Sequence, residues 1–203
     1  VIMFTNLSAI DGQIYKIECD LIDRIVKYYY GRQERINILE IGPYKGKSTL
    51  MFLEAHDNVH ITCIEPFCGM TDEDKEHLFG KEFKSEFLKN THSYRERITL
   101  IEKYSTDKTI SEDLKDALFD ICYIDGDHSY EGAINDIDLC LPHLKKDGLL
   151  ILHDYWLNCS INHKLRHVMD AVHEKLLYKY KFLSLVRAMI IFQNSADYKN
   201  YEL

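Results

Sequence analysis

Little in this chain interrupts a packed fold. It has only three prolines, Pro43, Pro66 and Pro142, and none falls within a predicted strand, where the missing amide hydrogen would break the ladder. No linker, low-complexity tract or internal repeat divides it. The 203 residues are therefore expected to form a single domain over 1–203, with 1–31 a helical segment packed on it. No apolar run approaches the roughly 20 residues of a membrane span, and the opening VIMF lacks the flanks and cleavage pattern of a secretory signal. No membrane partner is expected. The chain begins at Val1 rather than Met, which leaves its N-terminal extent open. No basic stripe offsets the net charge of −8, which argues against nucleic acid as a substrate. The six cysteines, at 19, 63, 68, 122, 140 and 159, include no CxxC pair, and most lie in apolar runs where a free thiol acts as a small hydrophobe. That usage points to a reducing cytoplasm. Oligomeric state is left open, a homo-oligomer included.

What is present alternates strand and helix. Ile10, Ile14, Ile17, Leu21, Ile25 and Tyr29 recur at helical spacing before Gly31, a C-cap candidate. A strand at 36–41, a glycine-containing turn, a helix at about 47–55 and a strand at 59–65 make a βαβ unit. A polar helical segment over 71–97 carries Phe79, Phe83, Phe87 and Leu88 at helical intervals as one apolar face and leads to a strand at 98–101. Strands at 119–125 and 149–154 flank a helix whose apolar face is read as Ile134, Ile137, Leu141 and Leu144. A helix over about 163–178 precedes apolar runs at 181–186 and 189–193, which are too close together for a crossover and should pair as an antiparallel hairpin. The expected fold is α/β, a doubly wound, seven-stranded, mostly parallel sheet with a C-terminal antiparallel hairpin.

The segment from Phe119 to Tyr155 is the most informative. Its two strands, joined by one helix, should be parallel with a right-handed crossover, so Asp125 and Asp154 end on the same sheet edge. Neighbouring strands lie about 4.8 Å apart, close enough for two carboxylates to share one small cation or one substrate. Open α/β sheets bind ligands at that edge.

The turn after the first strand reads EIGPYKGKS. Its GKS ending suggests a phosphate-binding P-loop, but only three residues separate Gly42 from Gly46, Pro43 has no amide hydrogen to offer, and Glu40 would repel a triphosphate. An acid beside the turn suits a ligand with an ammonium group. Glu65, 23 residues beyond Gly42, ends the second strand where a carboxylate can accept both hydroxyls of a ribose. Glu40 and Glu65 together fit a nucleoside bearing an amino acid, with Gly42 and Gly46 letting it approach bare backbone. A tight strand-to-helix turn with no ligand explains the two glycines equally well.

These motifs, EIGPYKG, CIEPF and YIDGDHSYEGAINDIDLCLPHLKKDGLLILHDY, resemble the class I S-adenosylmethionine-dependent methyltransferases, with a Rossmann-like fold. The last block is most similar to the small-molecule O-methyltransferases, including macrolide-sugar and catechol types. The resemblance implies S-adenosyl-L-methionine as cofactor, with Glu40 and Gly42 along its methionine portion, Glu65 on its ribose, Ser105 and Thr106 near adenine, and Asp125 orienting it. It further implies a divalent metal, usually magnesium, on Asp125 and Asp154, with His128 as general base. At Tyr155 the sequence departs from the catechol type, which carries a metal-binding Asn there. The acceptor would be a small molecule or sugar.

Methyl transfer needs donor and acceptor aligned and the acceptor hydroxyl deprotonated. A cation at Asp125 and Asp154 would lower the hydroxyl pKa and an imidazole would take the proton. Asp127 and Ser129 are N-cap candidates for the helix that follows, and His153, preceding Asp154, should point to the other face of a persisting strand. Trp156 either stacks on an acceptor ring or anchors its own loop. Histidines 163, 167 and 173 are read as a solvated or lid-facing surface rather than a metal site. A metal-independent methyltransferase, in which Asp125 and Asp154 only position cofactor and acceptor, and a non-catalytic nucleotide-binding module remain alternatives.

Overall fold

A computed structural model describes residues 7–31, 33–67, 79–156 and 167–195. The predicted helical segments over 71–78 and 163–166, the loop at 157–162, and Cys68, Cys159 and His163 lie outside those residues. Seven strands form one mixed, mostly parallel sheet, as the alternation of elements requires. The chain resolves into two compact units, 1–104 and 105–203.

The first unit begins with helix α1, Lys16–Ile25, which continues as a π-helical turn over Val26–Tyr30. The helix starts later than the isoleucine spacing suggests because Glu18 accepts the Tyr15 amide at 2.9 Å and fixes the first turn there. Strand β1 (Ile36–Ile41), helix α2 (Lys47–Ala55) and strand β2 (Val59–Ile64) form the βαβ unit. Helix α3 (Phe79–Thr91) leads through a 3-10 segment to strand β3 (Ile98–Ile101). The three strands run parallel in the order β3-β2-β1, with Ile38 opposite Ile61 and Ile61 opposite Ile98. Ile36, Ile38, Leu39, Met51, Phe52 and Val59 are completely buried. Phe87 is buried and Phe83 half-buried on α3, but Leu88, expected on the same apolar face, is exposed because it lies one residue, about 100°, round the helix from Phe87.

The second unit opens with a five-residue helix, α4 (Ile110–Leu114). Strand β4 (Phe119–Ile124), helix α5 (Tyr130–Cys140), strand β5 (Leu144–Leu152), helix α6 (Val168–Lys175) and strands β6 (Lys181–Val186) and β7 (Met189–Gln193) follow. The strand order is β4-β5-β7-β6, with β4 and β5 parallel and the last two an antiparallel hairpin. All six residues of β4 are buried, as expected for a parallel strand covered on both faces. Strand β5 starts five residues before the predicted strand and stops two residues short of Asp154. Helix α5 buries Gly132, Ala133, Asp136, Ile137 and Cys140, one step round from the face read in sequence, so an aspartate occupies a core position.

Candidate active site

The glycine turn is built from backbone conformations that most side chains avoid. Gly42, Tyr44 and Gly46 have φ of 82°, 50° and 87°, and a Cβ on Gly46 would stand 2.8 Å from the Thr91 methyl. Glycine is required there on both counts. The turn is closed by the Gly46 amide donating to the Pro43 carbonyl at 2.7 Å, and Gly46 then caps α2.

Glu40 is completely buried at the end of β1. Its carboxylate accepts the hydroxyls of Ser48 and Thr49, the latter at 2.7 Å, from the first turn of α2. Glu65 follows β2 and accepts the backbone amides of Phe67 at 2.9 Å and Tyr44 at 3.3 Å. Burial pushes its carboxyl above the usual range, and those amides offset part of the rise. Each Glu65 oxygen keeps a second lone pair for a ligand hydroxyl.

In the second unit, Asp125, His128 and Asp154 converge, with one potential ligand atom from each lying within 4.8 Å of the others. His128 Nε2 stands 3.5 Å from Asp125 Oδ1 and 3.2 Å from Asp154 Oδ2. His153 joins them, its Nδ1 3.6 Å from Asp125 Oδ1 and 3.3 Å from Asp154 Oδ1. The expectation that His153 faces away is therefore incorrect. It assumed a strand persisting to Asp154, whereas Ile124 pairs with Leu152, the His153 amide extends that ladder to Ile124, and Asp154 then turns back with a φ of 53°. Asp and Asn tolerate this left-handed conformation better than other chiral residues.

Burial opposes charge on Asp125, but its close contacts with the His128 and His153 imidazoles outweigh it and hold the carboxyl below its ordinary value. Burial likewise disfavours a charged His128, yet its contact with Asp125 and the charges of Asp125 and Asp154 raise it. The donor set of two carboxylate oxygens and one imidazole nitrogen fits a small divalent cation with waters completing its shell.

The loop that carries His128 is braced locally. Ser129 is the N-cap of α5, its Oγ accepting the Gly132 amide at 3.0 Å, while Asp127 accepts the Ser129 amide at 2.9 Å. Asp127 braces the turn and Ser129 alone caps. A Cβ on Gly132 would sit 2.5 Å from the Asp127 side chain. Gly132→Ala should therefore cost about 1–3 kcal/mol by overpacking, measured by denaturant unfolding, and should lower activity by displacing the 125–129 loop.

Tyr155 replaces the Asn of the catechol pattern and turns elsewhere, its hydroxyl bonding His173 Nε2 at 2.8 Å. Trp156, half exposed, meets the Tyr155 ring edge-on at 4.6 Å between centroids. His167 is a buried residue that pairs with Ser129 and starts α6. His167 departs from the expected surface position, whereas His173 is exposed there and is held by Tyr155.

Of the residues tied to adenine, Thr106 is exposed and Ser105 half-buried. Asn135 lies beside both Ser105 and the buried Asp136, which is 1% exposed, its amide 3.4 Å from Ser105 Oγ and 3.2 Å from Asp136 Oδ1. Burial lifts the Asp136 carboxyl from 3.8 to about 6, with Ser105 and Asn135 offsetting part of the rise. Because the folded value exceeds the unfolded one, the contribution of Asp136 to stability falls as pH rises from about 4 to 6. Asp136→Asn should add about 2 kcal/mol at pH 8 and little at pH 4, a difference that unfolding curves at the two pH values would measure.

The methyltransferase-domain family matches residues 39–155, more than half of the chain. The chain belongs to this family. The match takes in the glycine turn, Glu65, Asp125, His128 and Asp154. An uncharacterized protein of Acanthamoeba polyphaga mimivirus, R132, is 26% identical over 150 residues, 71% of this chain. The aligned part spans 62% of that relative's length. Among solved structures, an O-methyltransferase from Bacillus cereus in complex with S-adenosylhomocysteine superposes with a TM-score of 0.64 at 14% identity, covering 95% of this chain and 88% of that one. The MycE methyltransferase of the mycinamycin pathway, in complex with Mg, S-adenosylhomocysteine and mycinamycin VI, also gives 0.64, at 16% identity over 95% of this chain and 51% of its own. At these identities the superpositions place this methyltransferase-family chain within the same fold. No helix among the described residues is long and apolar enough to cross a membrane.

Proposed function

We propose that this chain is an S-adenosylmethionine-dependent O-methyltransferase that moves a methyl group to a hydroxyl of a small molecule or sugar, with magnesium assisting. The observation that carries the reading is the convergence of Asp125, His128 and Asp154 beside the C-terminal ends of two parallel strands, in a family of methyltransferase domains. The cofactor is assigned to Gly42 and Gly46 for close backbone approach, Glu65 for its ribose hydroxyls, Ser105 and Thr106 for its adenine, and Asp125 for orientation. Glu40 acts through Ser48 and Thr49, whose hydroxyls it binds, and its negative charge favours the cofactor's ammonium group.

In the transfer, the acceptor oxygen attacks the methyl carbon in line with the departing sulfur. The carbon–sulfur bond breaks, its electron pair returns to a neutral thioether, and the hydroxyl proton passes to His128 Nε2. Asp125 and Asp154 hold the resulting imidazolium. A divalent cation on the two carboxylates would acidify the acceptor hydroxyl and offset the negative charge that keeps a proton on His128. His153, facing both carboxylates, orients them.

A metal-independent version is favoured by one observation: imidazoles reach both carboxylates, His128 at 3.5 and 3.2 Å and His153 at 3.6 and 3.3 Å, and a protonated one supplies a cation to the pair. Labelled S-adenosylmethionine, incubated with catechols and nucleotide sugars with magnesium or excess chelator, tests both. Transfer that needs magnesium supports the leading reading, and equal transfer in chelator supports the metal-independent one. Absence of transfer to every hydroxyl acceptor, in a protein that binds the cofactor, would point to a binding module.

A further inference from the structure

The GKS ending of the glycine turn has no part in the proposed chemistry, yet it puts a lysine at the first residue of α2, where the helix dipole disfavours a cation. Lys47 Nζ donates to the Gly12 carbonyl at 2.7 Å. Gly12 has a φ of 140°, and a Cβ there would meet the Lys47 stem at 3.2 Å, so the chain lies along that stem only because the residue is glycine. Lys45, its side chain 13% exposed, bridges Asp11 at 3.2 Å and Glu86 of α3 at 3.1 Å, with the rings of Tyr44 and Phe83 each centred 5.3 Å from its Nζ. Two lysines of one turn thus reach consecutive residues of the N-terminal segment.

Apolar burial does little to hold that segment. Leu7 is buried, its 3-10 turn packs on α2, and α1 begins at Lys16, but no residue from Ser8 to Tyr15 is buried. Between the two anchors, polar contacts decide whether the chain stays down. On the other side of Lys45, the Tyr44 amide donates to Glu65 Oε2 at 3.3 Å, and the Asn90 side chain of α3 donates to the Lys45 carbonyl at 2.9 Å. The fastened turn therefore also braces the carboxylate assigned to the ribose. We propose that Lys45 and Lys47 are positioning residues that fasten residues 8–15 as a strap on the glycine turn, so that the strap holds the turn in its cofactor-binding conformation and bound cofactor holds the strap. The inference rests on the assignment of the turn and Glu65 to S-adenosylmethionine. Such coupling is reciprocal: the factor that a closed strap adds to cofactor affinity is the factor that cofactor adds to strap closure.

The rival explanation is that the two lysines attract the cofactor's carboxylate directly, and the sign of one substitution separates the two. Asp11→Asn removes a negative charge together with a partner of Lys45. Direct attraction then predicts tighter binding of S-adenosylhomocysteine, whereas a strap predicts binding about two- to fivefold weaker by calorimetric titration, the range for a largely exposed ion pair. Lys47→Met, which removes a charged hydrogen bond, should weaken binding by at least about fivefold. In turnover, both variants should raise KM for S-adenosylmethionine with kcat at saturation little changed, which a loss of folding would not do. Reciprocity supplies a readout independent of activity: saturating S-adenosylhomocysteine should slow amide hydrogen exchange over 8–15 in the wild type, and slow it less in both variants. Asp11 is 70% exposed at its side chain, so its variant carries the test if Lys47→Met does not fold. If the wild type binds S-adenosylhomocysteine, then either an Asp11→Asn chain that binds it as tightly or more tightly, or exchange over 8–15 that ignores the compound, overturns the strap and leaves the methyltransferase reading standing. If the wild type does not bind the compound, that reading fails and this inference with it.

Discussion

Asp125→Asn is expected to lower turnover by about 10³-fold or more. Both imidazoles face this carboxylate, His128 at 3.5 Å and His153 at 3.6 Å. It is also one of the two acids assigned to the metal. The amide keeps the volume but removes the charge, so it holds neither an imidazolium nor a divalent cation well. Magnesium titration by calorimetry should show binding weakened by at least about tenfold, whereas S-adenosylhomocysteine should still bind, because its remaining assigned contacts are intact. Steady-state kinetics on a responsive acceptor measures the main effect. Turnover within about tenfold of wild type would remove Asp125 from the chemistry.

His128→Ala should reduce turnover at neutral pH by about 10²–10⁴-fold, the range for loss of a general base. It separates two roles that the geometry alone permits, base and metal ligand. If His128 is the base, the variant keeps magnesium affinity, because Asp125 and Asp154 remain, and added imidazole restores part of the rate by occupying the vacated volume. If it is a ligand, magnesium binding weakens and imidazole restores little. Folding is a separate control. Loss of His128 removes one of the two imidazoles that face both carboxylates, so unfolding curves should be recorded alongside the kinetics.

The parts of the fold that were readable are those written in local spacing. The apolar runs of β1, β2 and β4, the two glycines of the turn and the short gap between β6 and β7 each impose one backbone solution, and each appears as expected. The parallel pairing of β4 with β5 brought Asp125 and Asp154 to one edge by topology alone. Failures occur where a strand stops or where the partner is distant in sequence. His153 was placed on the wrong face because alternation holds only while a strand continues, and β5 ends at Leu152. The early start of β5 was hidden by Lys145, Lys146 and Asp147, charged residues that do not read as a strand. Helix α4 is only five residues long and too short for periodicity to register. Nothing near Tyr155 announces its bond to His173, 18 residues away. Asp136 did carry a signal, since it interrupts the 133–137–140 face at the position where an apolar residue is due, but a helix face drawn through Ile134 and Leu141 passed over it.

The most direct measurement of the central claim is a crystal structure of the chain with S-adenosylhomocysteine and manganese as an anomalous stand-in for magnesium. The account predicts a manganese peak about 2.2 Å from oxygens of Asp125 and Asp154, the homocysteine sulfur beside that cluster, the ribose hydroxyls on Glu65 and the adenine beside Ser105 and Thr106. A cofactor bound elsewhere, or one bound as predicted with its sulfur remote from Asp125, His128 and Asp154, would contradict it.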